Sequence, residues 1–168
     1  GSPANNKGFL HDYAALCEAL LALSSKIDYF EIGASKYYID FAEKIMKSII
    51  KQFNDLDSPG FYYNSIDDDN LIIRFKEWFD DAVPSGNSLV LHSLSSLYYL
   101  RQDLFYEKTF YAQSSVYDEG ADLNASSISH ALEAIVNHDN IAVIKFSDPG
   151  MILNLRNELL ERHWRKLF

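Results

Sequence analysis

Apolar residues at Phe9, Tyr13, Leu16, Leu20, Leu23 and Ile27, broadened by Cys17 and Leu21, recur every three or four positions and predict an amphipathic helix over 9–27. Tyr37, Tyr38, Phe41, Ile45, Met46, Ile49, Ile50 and Phe53 keep the same period. The short joint between the two makes them an antiparallel hairpin. After a turn at 84–87, Leu89 or Val90, Leu94, Leu97 or Tyr98, and Leu100 mark a third helix. A fourth runs over 104–117 through Phe105, Phe110 and Val116, and a fifth over 124–137 through Ile128, Leu132, Ile135 and Val136.

Two places break this rhythm. Asp57-Ser58-Pro59-Gly60 is a turn, and the aromatic run 61–63 and the apolar run 71–75 read as the two arms of a small β excursion near 60–75. Between them, Asp67-Asp68-Asp69-Asn70 is a solvated acidic turn that fails the EF-hand pattern, because Leu71 stands where Asp or Asn should follow. The β-branched run 141–146, closed by Asp148-Pro149-Gly150, predicts a strand, and 151–164 returns to helix. Residues 1–7 read as a tag remnant or linker, 8–138 as the helical-hairpin portion, and 139–168 as a strand and C-terminal helix of the same domain. The fold class is therefore mainly α with a few short strands. A closed ring of six hairpins takes about twelve helices and roughly 200 residues at least. Five or six helices in 168 residues make either an open helical array or part of a larger toroid.

Composition narrows the function classes. With 24 acidic against 15 basic side chains the net charge is -9, which repels phosphate backbones and argues against nucleic acid as a partner. A single cysteine on the apolar stripe of the first helix makes no internal disulfide and reads as a core thiol, which points to a reducing, cytoplasmic setting. No apolar run reaches the roughly 18 residues of a membrane span, and the start has no signal-peptide core. His130, His138 and His163 show no metal-ligand spacing, so neither a metal nor another cofactor is expected.

The segment Arg74-Phe75-Lys76-Glu77-Trp78-Phe79-Asp80-Asp81-Ala82-Val83-Pro84-Ser85-Gly86-Asn87-Ser88 carries a specific core, Pro-Ser-Gly-Asn-Ser. Together with Phe9-Leu10-His11-Asp12-Tyr13-Ala14 and Ser58-Pro59-Gly60-Phe61-Tyr62, in the same order and spacing, it resembles the YyaL-like family, which includes the spermatogenesis-associated thioredoxin-like proteins. The resemblance spans nearly the whole chain. It implies the C-terminal part of a six-hairpin (α/α) toroid, similar in fold to N-acylglucosamine 2-epimerases and several glycosidases. The remaining hairpins and a thioredoxin-like domain would then be its natural neighbours. Asp81, His11 and Pro59 depart from the family's usual Gly, acid and Gly.

Carbohydrate chemistry is the leading expectation, with a non-catalytic interaction scaffold as its rival. Asp12 and Asp80 are the candidate catalytic carboxylates, since glycoside hydrolysis needs two acids. His11 is a candidate base for epimerisation, with His92 facing the same cavity. Ser85, Gly86 and Asn87 open the third helix, where they either cap its amides or present them to a ligand. Arg74 and Lys76 fall on one face of an extended segment, where they pair with Glu77 and Asp80 or hold a ligand oxygen. Tyr13, with Tyr62, Tyr63, Trp78 and Phe79, offers aromatic surface for a sugar ring. A homodimer covering the open flank is a further expected arrangement.

Overall fold

In a computed structural model, the described residues are 8–27, 33–68, 73–118, 124–141 and Glu158. They form five α-helices: α1 (Leu10–Ile27), α2 (Ala34–Phe53), α3 (Gly86–Arg101), α4 (Leu104–Asp118) and α5 (Ser129–Asn140), the last preceded by a 3-10 turn, Ala125–Ile128. The protein is mainly helical, as the periodicity predicts.

Side-chain contacts fix the direction of each helix. The ring of Tyr13, early in α1, meets Phe53 at the end of α2 at 5.3 Å, so the two run antiparallel. Gly86 at the head of α3 lies against Leu10 and His11 at the head of α1, which makes α1 and α3 parallel. Trp78, bonded to the head of α3 through Ser85, meets Tyr117 at the foot of α4 at 6.1 Å, and α4 folds back antiparallel to α3. His92 and Ser95 of α3 meet His130 and His138 of α5 in matching order, so α5 is parallel to α3. The described helices are thus a row of three, α1, α3 and α5, all starting at the same end, with α2 and α4 running the opposite way.

α3 lies at the centre and buries residues on nearly its whole circumference, including Leu89, Val90, Leu91, Leu94 and Leu97. A helix enclosed on all sides needs small polar residues where neighbours press closest, and Ser88, Ser93 and Ser95 are buried among them. On α1 the buried line is Leu10, Ala14, Cys17, Leu21 and Ser24, while Leu16 and Leu23 stay 44% and 42% exposed. The apolar stripe marks the helix correctly but not its buried edge. Between two helices the close contacts fall on small residues, and the Cys17 thiol reaches the Ala42 carbonyl at 3.4 Å. Burial pushes that thiol up to about 12, in keeping with an inert core cysteine.

Residues 54–68 and 73–85 cross the common starting end of the row, and here the expected β excursion takes another form, with 69–72 lying outside the described residues. Among the described residues there is no sheet, only an isolated antiparallel bridge between Asn54 and Phe61. Backbone groups that a neighbouring strand would satisfy are met by side chains and helix ends. Asn87 Nδ2 donates to the Phe61 carbonyl at 3.0 Å while its Oδ1 accepts from the Phe61 amide at 2.7 Å. The Leu10 amide donates to the Tyr63 carbonyl, and the Tyr63 amide to the Phe75 carbonyl. Gly60 has φ of +89°, and a Cβ there would stand 1.8 Å from Trp78 Cη2, so only glycine lets the turn close over the indole. The predicted strand at 141–146 and final helix at 151–164 lie outside the described residues except for Ile141 and Glu158, as do residues 1–7.

Candidate functional site

Most polar candidates of the 74–88 motif are engaged in holding the crossing segment together. Ser85 caps α3, its hydroxyl accepting from the Ser88 amide at 3.2 Å. Asp80 Oδ1 accepts from the Ser85 amide at 2.9 Å and the Ser88 hydroxyl at 2.8 Å, while Oδ2 accepts from the His130 amide at 2.9 Å. One carboxylate thereby ties the heads of α3 and α5. Asn87 also donates to the Glu77 carbonyl at 2.8 Å, which occupies its whole amide. The space that Gly86 leaves is taken by Leu10, whose Cγ would lie 3.0 Å from an added Cβ, so the close approach is made by α1 rather than by a ligand.

Arg74 and Lys76 share one face of the extended segment, as their alternation predicts, but that face points inward. The Arg74 guanidinium donates to the carbonyls of Asn64 and Gln52 and lies 4.0 Å over the Tyr62 ring. Lys76 Nζ donates to the Ser58 and Pro59 carbonyls and pairs with Asp55 at 2.8 Å, not with Glu77 or Asp80. That cation, the Asp57 amide and the Ser58 hydroxyl together hold the Asp55 carboxyl well below the ordinary carboxylate range.

With Arg74 and Lys76 inward, the outward positions carry several large apolar side chains. Ile73, Phe75, Phe79 and Val83 are 77%, 51%, 51% and 59% exposed. Phe75 stacks on Tyr63 at 4.9 Å, and Tyr63 on Phe9 at 4.9 Å, with interplanar angles of 18° and 22°. This three-ring ledge borders a cavity of about 440 Å³ whose other walls are His11, Asp12, Glu77 and Val83. His11 and Asp12 therefore come together at the head of α1. Asp12 is the third residue of the helix, and its Oδ2 accepts from the Phe9 amide at 2.8 Å, half of a capping box. Glu77 joins them, and no hydrogen bond engages its carboxylate among the described residues. Its sign in the sequence was its odd-numbered place in an alternating run whose even members face inward. Asp80 does not line this cavity but a separate one of about 220 Å³ shared with Ser129, His130 and Glu133, so Asp12 and Asp80 are not a facing pair. Tyr13 turns into the core against Phe53.

His92 is not beside His11 either. It lines a cavity of about 550 Å³ with Glu18, Leu21 and Tyr99, and its ring stacks on His130 at 4.0 Å. Burial, then the neighbouring His130, holds it below the ordinary imidazole value. Glu18, His92 and His130 form a cluster that no sequence spacing reveals, since each comes from a different helix. No protein-family model matches the chain, and no curated protein matches it.

Proposed function

We propose that the protein binds a neutral carbohydrate on the ledge formed by Phe9, Tyr63 and Phe75, with Asp12, Glu77 and His11 supplying the polar contacts. The observation that carries this reading is the inverted extended segment: Arg74 and Lys76 are spent inside while Ile73, Phe75, Phe79 and Val83 face outward, Phe75 and Val83 lining one cavity with the carboxylates of Asp12 and Glu77. Exposed apolar surface of this kind, rimmed by polar groups, marks interaction sites. Sugar rings present apolar C–H faces that stack on aromatic rings, and hydroxyls that donate to carboxylates. The outer faces of Phe9 and Phe75 are turned away from Tyr63, and the acidic balance of the chain disfavours an anionic ligand.

The parallel row α1, α3, α5 with α2 and α4 reversed supports assignment to an incomplete (α/α) toroid of YyaL-like kinship, with the ledge at the end where the inner helices begin. In that setting the acid pair available for processing is Asp12 and Glu77, with His11 as the base for epimerisation. A second reading rests on Leu16 and Leu23, which expose an apolar edge of α1. It makes the array a scaffold whose edge is covered by further hairpins, a thioredoxin-like domain or a second copy. Ligand-observed saturation-transfer NMR with a panel of mono- and disaccharides separates the two. Transfer that disappears in Phe75→Ala, with the circular dichroism unchanged, is expected. No transfer from the folded protein to any sugar leaves the scaffold.

A further inference from the structure

The second cluster stands apart from the aromatic ledge and does not depend on it. Glu18 from α1, His92 from α3 and His130 from α5 offer one ligand atom each, all within 4.8 Å of one another. We propose that these three side chains bind a divalent transition-metal ion of the zinc class, leaving an open coordination position toward the cavity between α1, α2 and α3.

The hydrogen-bonding pattern prepares the imidazoles for this role. His92 Nε2 lies 2.9 Å from the His130 carbonyl, which can only accept, so that nitrogen carries the proton and Nδ1 keeps its lone pair. On His130 the converse holds. Its Nδ1 faces Glu133 at 3.8 Å, while Nε2 is buried, has no hydrogen-bond partner and stands 3.5 Å from Glu18 Oε1. A ligating histidine characteristically gives its other N–H to a carbonyl or carboxylate; His92 does so to the His130 carbonyl, whereas Glu133 stands 3.8 Å from His130 Nδ1, beyond hydrogen-bond reach. A buried ring nitrogen without a partner is costly in a native fold, and a metal ion satisfies it.

Charge and size agree. Two neutral imidazoles with Glu18 and the outer Glu133 balance a divalent cation, and a set of two histidines and one carboxylate with an open position suits zinc and its neighbours. The spacing of 3.5 Å between His130 Nε2 and Glu18 Oε1 already matches the roughly 3.4 Å edge of a zinc tetrahedron built from ~2.1 Å bonds. The remaining adjustment is in the rings. They lie 4.0 Å apart and 28° from parallel, and a metal sits in the plane of each imidazole it binds. Binding therefore splays the pair, with His92 pivoting on its bond to the His130 carbonyl. The cavity alongside, about 550 Å³ with Glu18 and His92 in its wall, gives an ion or a small oxygen ligand access to the open position.

The test is titration of the folded, chelator-stripped chain with Co2+ and Zn2+. The expected result is one Co2+ per chain with visible d–d absorption of low-coordinate intensity, displaced by Zn2+. Glu18→Gln and His130→Asn each weaken binding by more than tenfold. Glu18 is partly exposed, and its neutral isostere leaves the helix packing intact. Failure of the folded wild-type chain to bind Co2+ or Zn2+ stoichiometrically would overturn the proposal. So would binding that Glu18→Gln and His130→Asn leave unchanged, which would place the ion elsewhere. Saturation transfer to sugars, compared between the wild-type chain and Phe75→Ala, is a separate readout, so the two sites stand or fall apart.

Discussion

At the residue scale, side-chain groups that look catalytic by type prove to be joints. Asp80 accepts from two amides and a hydroxyl at the heads of two helices. Asp80→Asn turns one acceptor into a donor facing an N–H or O–H, and is expected to lower unfolding free energy by about 1–3 kcal/mol in urea denaturation, while sugar binding by the folded fraction persists. Asn87 makes three backbone bonds from 3% exposure. Asn87→Ala orphans the Phe61 and Glu77 groups and costs roughly 3 kcal/mol by the same measurement. Gly60→Ala combines a positive φ with a clash against the Trp78 ring, and a loss of roughly 2–4 kcal/mol is expected from strain and overpacking together. These roles were half legible. Capping by Ser85 follows from Pro-Ser-Gly-Asn-Ser alone, but Asn87 standing in for a strand partner of Phe61 needs the third dimension.

At the element scale, α2, α3 and α4 begin or end within a few residues of where their apolar periods place them, because an amphipathic period is a local property. The β excursion was not legible in the same way. Runs rich in Phe, Tyr and Ile fit a pleated strand by propensity, yet a sheet needs a repeating partner, and the bond from the Tyr63 amide to the Phe75 carbonyl joins the two arms while helix ends, a turn and side chains supply other partners. The contact between α4 and α5 carries a pH prediction. His138 is 1% exposed, lies face to face with Phe110 at 3.9 Å and contacts Ser95 Oγ at 2.8 Å through Nδ1. Burial lowers its pKa, offset only in part by Asp139 and Glu107. The unfolded chain takes up this proton near pH 6.5 and the folded chain only at lower pH. Stability from His138 is therefore complete above about pH 6.5 and declines as pH falls toward the depressed folded value. Urea midpoints measured in a chelator between pH 7.5 and 5.5 should fall on acidification, with a flatter dependence in His138→Gln.

At the scale of the whole molecule, the three parallel helices bring their heads to one end, and residues 54–68 and 73–85 are laid across that end with Arg74 and Lys76 facing inward. This arrangement gives the aromatic ledge and the carboxylates a common location. His11 and Asp12 were named as candidates from the first motif and from their side-chain types. Glu77 and Phe75 were not, because only the inward commitment of Arg74 and Lys76 shows that the alternate residues face outward. The Glu18, His92 and His130 cluster has no trace in local spacing, since it exists only through the packing of α1, α3 and α5.

The outward face of this segment is the proposed carbohydrate site. The most direct measurement is chemical-shift mapping of aromatic and backbone resonances in the wild-type chain as the sugars of the panel are added. Saturable shifts concentrated on Phe9, His11, Tyr63, Phe75 and Glu77 are expected, with those of Tyr13, Arg74 and Lys76 small. Shifts confined to other surfaces, or none with any sugar at millimolar concentration, would contradict the proposed site.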